Sequence, residues 1–253
     1  MSAHPSVSVL LRSLCLGEMA RELDRLTAQA GRDGWSHEHY LRVLCDTEIT
    51  KRAERRRERL LKDAKLPAGK SLAALDQDRL PLRVRRQLTS LLEGRFVEQA
   101  ENVLAFGLPG RGKTHLCCAI AQELIMEHGY KVLFTPAVHL VQRLLVAKRD
   151  LRLEQILKQL DRYDLVVLDD IGYIQQNRDE MEVLFTFLSE RYERKSLMIT
   201  SNLVFSEWDK IFKDPITTAA AIDRLVHHSI ILELDGDSYR MQHAKNKKQK
   251  GKD

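Results

Sequence analysis

The stretch Gly107-Leu-Pro-Gly-Arg-Gly-Lys-Thr114 follows the phosphate-binding pattern of Gly, any four residues, Gly, Lys and then Ser or Thr. Before it, the apolar run Asn102–Phe106 predicts a β-strand. After it, Lys113–His128 has the pattern of a helix that ends at Gly129. A phosphate-binding loop, or P-loop, requires this order of strand, loop and helix. A chance match in a surface loop is therefore disfavoured, and the stretch predicts an α/β fold around a nucleotide site.

Each residue type in this loop suits one part of a bound nucleotide. Gly107, Gly110 and Gly112 allow the backbone to curl so that its N–H groups face a phosphate, which the N-terminus of the following helix also attracts. Lys113 is predicted to reach the β- and γ-phosphates of ATP, and the Thr114 hydroxyl is predicted to bind Mg²⁺. The predicted nucleotide contacts are Gly107, Pro109, Gly110, Arg111, Gly112, Lys113, Thr114 and His115.

An acidic pair follows a second predicted strand. Leu165–Leu168 is apolar throughout, which is typical of a strand buried on both faces, and Asp169 and Asp170 come directly after it. Ligands of open α/β sheets bind at the carboxyl ends of the strands. Asp169 is therefore predicted to hold Mg²⁺ through water, and Asp170 to act as general base on the attacking water. A pair of solvated turn acids is the alternative.

A third apolar strand, Leu197–Thr200, ends in Ser201 and Asn202. Asn202 is a candidate to hydrogen-bond the attacking water or the γ-phosphate, although Ser and Asn also commonly cap turns. Further along the chain, Arg224 and Arg240 have no spacing that distinguishes them from surface arginines. The order of the three motifs therefore favours a catalytic role for Asn202, and the residues alone assign none to the arginines.

From residue 102 onward, apolar runs alternate with helical patterns. Alternation of this kind predicts a parallel sheet with helices on both faces. The remaining predicted strands are Lys131–Thr135 and Ser229–Leu234, and the remaining predicted helices are Val138–Ala147, Leu151–Leu160, Glu180–Glu193 and Thr217–His228.

The residues before the sheet predict a small all-helical domain. Residues 7–30 carry leucines along one stripe of a helix, which Gly31 and Gly34 are expected to break. Ser36 is a candidate N-cap for a second helix that runs to Lys65. This part of the chain therefore has its own small core.

Proline and glycine mark the boundary between the two parts. Pro67 and Gly69 indicate a linker, and residues 82–93 predict another short helix before the sheet begins. The predicted domains are a basic helical domain at 1–66 that binds DNA or a partner, an ATPase domain at 67–243, and a basic disordered tail at 244–253.

The second predicted helix is cationic between Lys51 and Lys65, where eight bases face three acids. A row of arginines on a rigid helix can follow the phosphates of DNA. The alternative is a solvated face on which Glu54 and Glu58 pair with bases one turn away. The candidate DNA contacts are Arg52, Arg55, Arg56 and Arg59.

Composition limits the remaining function classes. The 41 basic residues nearly match the 36 acidic ones, so a surface for a polyanion must come from local clustering. The four cysteines include no C-x-x-C pair, which argues against a zinc cluster or a disulfide framework and predicts reduced, buried thiols. No stretch approaches the ~18 apolar residues of a membrane span, and no secretion signal precedes the first helix. We therefore expect a cytoplasmic protein with no membrane partner.

The order of these motifs resembles the IstB-like transposition helper ATPases, a branch of the AAA+ proteins related to the DnaC helicase loaders. The resemblance covers most of residues 70–243 and extends more weakly to the helical N-terminal part. It implies that Asn202 has the sensor-1 role and that Arg240 is a sensor arginine near the phosphates. It also implies that Arg224 is an arginine finger that reaches the nucleotide of a neighbouring subunit. The residues that carry it are Phe106–His115, Leu165–Tyr173, Thr200–Asn202, Asp223–Val226 and Asp237–Arg240.

The chain departs from the common AAA+ pattern in two respects. Many AAA+ proteins have Asp-Glu where this chain has Asp169-Asp170, and the shorter carboxylate reaches less far toward water, so slow hydrolysis is expected. Only about 50 residues follow Asn202, too few for a C-terminal helical lid domain together with the Lys-rich tail. Closure over the nucleotide is then expected to depend on a neighbouring subunit.

The favoured function is a Mg²⁺-dependent ATPase that assembles on double-stranded DNA as a homo-oligomer and assists a transposase in target selection. The transposase comes from the resemblance, whereas the ATPase motifs and the cationic segment come from the residues. A replicative helicase loader is the nearest alternative, because it would use the same core with N-terminal helices that grip a helicase. A small-molecule P-loop kinase is disfavoured, because Asp169-Asp170 and Asn202 suit activation of water.

Overall fold

A computed structural model of the chain describes residues 6–173, 178–203, 207, 223 and 225–235. The chain divides into two compact units, Met1–Arg59 and Leu60–Asp253. The first unit is entirely helical where it is described, and the second contains the sheet.

The first unit begins with α1 (Val7–Ser13) and α2 (Gly17–Asp33), and α3 (His37–Ala64) starts in it. The prediction of one helix over residues 7–30 was wrong at two points. The chain breaks between α1 and α2, where Cys15 adopts a positive φ of 60°, and Gly31 lies inside α2. The N-cap prediction is confirmed, because the Ser36 hydroxyl accepts a hydrogen bond from the His39 N–H at 3.2 Å.

A buried carboxylate joins α3 to the start of α2. Oε2 of Glu48 accepts hydrogen bonds from the backbone N–H groups of Glu18 (2.7 Å) and Met19 (3.1 Å). These N–H groups have no partner within their own helix, and the helix N-terminus favours a negative charge. Glu48 therefore acts as an N-cap supplied from another helix, beside a small core of Met19, Leu26 and Leu44.

The described part of the second unit contains the strands β1 (Asn102–Phe106), β2 (Val132–Pro136), β3 (Leu165–Asp169), β4 (Ser196–Ser201) and β5 (Ser229–Glu233). They form one sheet in the order β2-β3-β4-β1-β5, in which every neighbouring pair is parallel. This confirms the predicted α/β class, and each predicted strand is present to within one or two residues. The short helix at Arg95–Glu98 was not predicted. The helices in the described part of this unit are α4 (Leu82–Leu92), α5 (Arg95–Glu98), α6 (Lys113–His128), α7 (Ala137–Arg149), α8 (Leu153–Leu160) and α9 (Arg178–Arg191).

Side chains that alternate along each strand fill two separate cores. In β1, Val103 and Ala105 pack with residues of α4 and α6, whereas Leu104 and Phe106 pack with residues of α7 and α9. A sheet that is buried on both faces in this way needs apolar residues at nearly every strand position. This explains why the strands of the sequence are continuous apolar runs.

The strand order brings the three motifs together. β4 lies between β3 and β1, with Leu168 opposite Ile199 and Phe106 opposite Ser201. The residues that follow these three strands therefore emerge side by side at the carboxyl edge of the sheet, where ligands of open α/β sheets bind.

A buried arginine holds β3 and β4 together at the opposite edge. Arg191 is 2% exposed and donates to the carbonyl oxygens of Leu160 (3.0 Å), Tyr163 (3.1 Å) and Ser196 (3.0 Å). Burial lowers the pKa of Arg191 to about 10, so the guanidinium stays charged at neutral pH. These bonds fix the amino ends of the strands that carry the acidic pair and Asn202.

The cysteines divide into two classes. Cys117 and Cys118 are buried in α6, and burial raises the pKa of Cys118 to about 12, so both are inert thiols as predicted. Cys15 and Cys45 are exposed, so the prediction of burial was wrong for them.

Among the described helices, none combines the length and the apolar character that a bilayer crossing requires. The Lys-rich tail and any lid after residue 235 lie outside the described residues.

Candidate nucleotide-binding site

The P-loop uses glycine where the backbone requires it. Gly107 has a φ of 147°, and a Cβ atom at this position would lie 2.4 Å from the carbonyl oxygen of Leu234. That approach is fixed because the Leu234 N–H donates to the carbonyl of Phe106 at 2.8 Å. Gly112 has a φ of 89° and is the N-cap of α6. The loop therefore leads from β1 into a helix N-terminus, as an anion site requires.

The P-loop lysine is held at the end of β4. Lys113 is 6% exposed, and its ammonium donates to the carbonyl oxygens of Gly107 (2.6 Å) and Leu108 (3.1 Å) and to Oδ1 of Asn202 (2.5 Å). A buried ammonium needs such partners, because desolvation penalises its charge. The positive charge is thereby positioned between the loop and the adjacent strand.

The two acids are fixed by side chains of β4. The Thr200 hydroxyl donates to Oδ1 of Asp169 at 2.7 Å and accepts from the backbone N–H of Asp170 at 2.8 Å. Nδ2 of Asn202 donates to Oδ1 of Asp170 at 2.8 Å. Asp170 has a φ of 64°, which only a few per cent of non-glycine residues adopt. Asn202 thus bridges Lys113 and Asp170, so the three predicted motifs form one hydrogen-bonded network.

A cavity of about 420 Å³ opens beside this network. Its volume lies in the range of about 300–1,000 Å³ that small-molecule sites occupy. The wall is formed by Lys70, Ala74, Leu75, Asp76, Arg79, Leu80, Pro81, Pro109–His115, Asp170, Thr200, Asn202 and Asp235.

Residues 70–81 follow the linker predicted at Pro67 and Gly69 and had no predicted role in the site, yet seven of them line this cavity. Leu75 and Leu80 add apolar residues to a lining that also contains the polar P-loop, and apolar surface of this kind suits the flat base of a nucleotide. Nε2 of His115 donates to the carbonyl oxygen of Ser71 at 3.1 Å and ties this segment to α6. No motif in the segment indicates this role, because the wall forms only when the chain folds.

Thr114 and Asp169 present oxygen atoms of the kind that Mg²⁺ prefers. Thr114 lines the cavity, and the Asp169 carboxylate is half-buried and oriented by Thr200. A hydroxyl and a carboxylate, completed by water and phosphate oxygens, form a suitable magnesium site. The residues that are present therefore fit ATP together with its metal ion.

Arg224 and Arg240 lie outside the described residues, so their predicted roles stay predictions. Asp223 and Leu225 on either side of Arg224 are described, and Leu225 is buried in the core against α9.

The four candidate DNA contacts have different environments. Arg52 donates to Oε1 of Glu48 at 3.1 Å and to the carbonyl of Cys15 at 2.8 Å, and Arg55 pairs with the buried carboxylate of Glu18. Both arginines therefore stabilise the first unit. Arg56 and Arg59 are exposed, and no ion pair involves either of them within the part of the chain that the structure describes.

The chain matches the family model described as IstB-like ATP binding protein over residues 9–247. It is 42% identical to a protein of Sinorhizobium fredii named as an insertion-sequence ATP-binding protein, with 94% of this chain and 80% of the relative aligned. It is 37% identical to the protein of Pseudomonas aeruginosa named as the ATP-binding protein of insertion sequence IS21, with 93% of this chain and 89% of the relative aligned.

Solved structures show the fold. AMPPCP-bound DnaA from Aquifex aeolicus aligns with a TM-score of 0.55 and 20% identity, covering 74% of this chain and 56% of DnaA. DnaI aligns with a TM-score of 0.55 and 22% identity, covering 65% of this chain and 90% of DnaI. With the strand order described above, these alignments confirm the AAA+ P-loop fold.

Proposed function

The chain belongs to the IstB-like ATP-binding protein family, and from this premise we propose that it is a DNA-binding AAA+ ATPase. In this proposal it assembles on duplex DNA when ATP is bound and assists a transposase in selecting its target. The observation that carries the ATPase assignment is the network in which Asn202 joins Lys113 to Asp170 at the cavity. The insertion-sequence names of the relatives support the link to transposition.

Each residue of the network has a role in hydrolysis. Backbone N–H groups of the P-loop and the Lys113 ammonium bind the phosphates, and Thr114 and Asp169 hold Mg²⁺, which neutralises charge on the phosphate oxygens. Asp170 accepts a proton from the attacking water, and Asn202 orients Asp170 through the 2.8 Å hydrogen bond. Because Asp170 is one methylene shorter than the glutamate of many AAA+ proteins, turnover is slow.

We further propose that assembly completes the nucleotide site with an arginine from the neighbouring subunit. In the proposal, Arg224 of one subunit reaches the γ-phosphate in its neighbour and Arg240 contacts the phosphates in its own site, roles that follow from the family resemblance. Exposed cations such as Arg56 and Arg59 bind phosphates of the DNA backbone without reading bases. The protein acts in the cytoplasm, where ATP and chromosomal DNA are both available.

A helicase loader is the second candidate, because it would use the same ATPase core with N-terminal helices that grip a helicase. Two measurements separate the candidates. The proposal predicts retention of duplex DNA by the purified protein with ATP and no pull-down of a hexameric helicase, and the reverse pattern would establish the loader. Phosphate release from Mg²⁺-ATP without an added acceptor is expected in both cases and would exclude the kinase.

A further inference from the structure

One hydroxyl group joins both acids of the site to the neighbouring strand. Thr200 is 1% exposed and lies at the carboxyl end of β4. Its Oγ1 atom donates to Oδ1 of Asp169 (2.7 Å) and accepts from the N–H of Asp170 (2.8 Å). A hydroxyl has one proton to donate, so this proton is committed to Asp169 and a lone pair is committed to Asp170.

The bond to Asp169 determines which way that carboxylate faces. An aspartate that has one oxygen fixed by a buried donor keeps a single orientation and presents its remaining lone pairs in a fixed direction. Partners of this kind usually orient metal-binding carboxylates, and their loss costs about 10–100-fold in metal affinity or activity. Thr200 itself lines the cavity, so it lies where this orientation matters.

The bond to Asp170 stabilises a backbone conformation that aspartate rarely adopts. A non-glycine residue at a φ of 64° costs free energy that the surroundings must offset. The Thr200 hydroxyl provides the partner for the Asp170 N–H, and Asn202 holds the Asp170 side chain from the same strand end. The left-handed turn at Asp170 is therefore secured from β4 at two points.

We propose that Thr200 is a positioning residue for magnesium: it sets the orientation of Asp169 for the metal and holds the turn that points Asp170 at the cavity. The inference rests on the proposed ATPase function. It differs from the role of Asn202, because Asn202 holds the side chain of Asp170, whereas the Thr200 hydroxyl holds the carboxylate of Asp169 and the backbone of Asp170.

The test compares three variants of the full chain. Thr200→Val keeps the shape and the strand preference of threonine but removes the hydroxyl, and Thr200→Ser keeps the hydroxyl. Ser196→Ala is the matched control, because Ser196 lies at the other end of β4, is fully buried and makes one side-chain hydrogen bond, to the carbonyl of Phe96 at 3.1 Å. For each protein, binding of a fluorescent ATP analogue and phosphate release are measured over a range of Mg²⁺ concentrations.

Thr200→Val is expected to raise the Mg²⁺ concentration for half-maximal activity and for Mg²⁺-dependent nucleotide binding by about tenfold or more. Nucleotide binding without Mg²⁺ should stay at the wild-type level, since the P-loop and Lys113 are unchanged. Thr200→Ser should restore the wild-type Mg²⁺ dependence, and Ser196→Ala should not alter it. In protein free of nucleotide and metal, the Asp170 amide should exchange with solvent faster in Thr200→Val than in Ser196→Ala.

The outcomes separate this inference from the proposed function. Failure of the wild-type protein to bind or hydrolyse ATP would contradict the function itself. A wild-type protein that hydrolyses ATP, together with an unchanged Mg²⁺ requirement in Thr200→Val, would overturn the role of Thr200. An equal shift in Ser196→Ala would overturn it too, because the effect would then reflect a general weakening of β4. If the valine variant does not fold, Thr200→Ala provides the same comparison.

Discussion

Nζ of Lys113 lies 2.5 Å from Oδ1 of Asn202, although the two residues are 89 positions apart in the chain. The same amide donates to Asp170 at 2.8 Å, so the P-loop, the acidic pair and the end of β4 share one network. Single substitutions at its members should therefore separate binding of ATP from its hydrolysis.

Replacing Lys113 should abolish measurable ATP binding. The ammonium is buried and supplies a charge that backbone N–H groups cannot replace. Titration calorimetry of Lys113→Ala with ATP tests this. Lys148→Ala is the matched control. Lys148 forms ion pairs with Asp179 and Glu182 on the surface of α9, so the variant that lacks this lysine should bind ATP normally. Unchanged ATP affinity in Lys113→Ala would contradict the P-loop assignment.

Replacing Asp170 by asparagine should keep ATP binding and stop turnover. An amide fills the same space but cannot accept a proton from water. Asp169→Asn should instead weaken the dependence of ATP binding on Mg²⁺, because it replaces the carboxylate that holds the ion by an amide. Phosphate release and Mg²⁺ titrations of the two variants check the division of roles. If Asp170→Asn loses the response to Mg²⁺ and Asp169→Asn keeps it, the roles are reversed.

Alanine at Gly107 should destabilise the protein and weaken ATP binding. Its Cβ would meet the Leu234 carbonyl at 2.4 Å, and the positive φ adds about 1–3 kcal/mol of backbone strain. Gly31→Ala is the control: no atom lies within 4 Å of the added Cβ inside α2, so a gain of about 0.5–1 kcal/mol is expected. Thermal unfolding of both variants with and without ATP measures the contrast. Equal stability of the two variants would show that the backbone at Leu234 yields to the added methyl group.

The arginines of α3 should separate into structural and DNA-binding residues. In a plot of log affinity for duplex DNA against log salt concentration, replacing Arg56 and Arg59 by alanine should reduce the magnitude of the slope by about 2, because each phosphate contact contributes about 0.9. The free energy of unfolding should stay unchanged. Arg55→Ala should instead destabilise the first unit by about 1–3 kcal/mol, because the buried Glu18 carboxylate would lose one of its two ion pairs and keep the one with the exposed Arg21. An unaltered slope would mean that Arg56 and Arg59 form a solvated face.

The parts of the fold that local signals determine were predictable from the sequence. β1 and α6 have the predicted bounds, because an apolar run defines the strand and Gly129, with a φ of 68°, ends the helix. The break at Cys15 was missed, since a positive φ at a non-glycine residue has no local signal. The rule that ligands of parallel sheets bind at the carboxyl ends of the strands predicted a site at Asp169 and Asp170, whereas the strand order that places Asp170 beside Asn202 was not predicted.

Features that depend on distant contacts could not be predicted. Glu18 lies 37 positions before Arg55, so a charge count along α3 could not distinguish the arginine that pairs with a buried acid from the exposed Arg56. The wall formed by residues 70–81 has no motif, and its role depends on contacts such as that between Ser71 and His115. The two bonds of the Thr200 hydroxyl likewise arise only from the register of β3 and β4.

The most direct test of the central claim is the fluorescence anisotropy of a labelled DNA duplex titrated with the purified chain. The titration is performed with a non-hydrolysable ATP analogue, with ADP and without nucleotide, and it is repeated with Lys113→Ala. The account predicts tight, salt-dependent binding that requires the analogue and is lost in Lys113→Ala, since ATP must bridge subunits on the DNA. Equal binding in all nucleotide states and in the variant would contradict it.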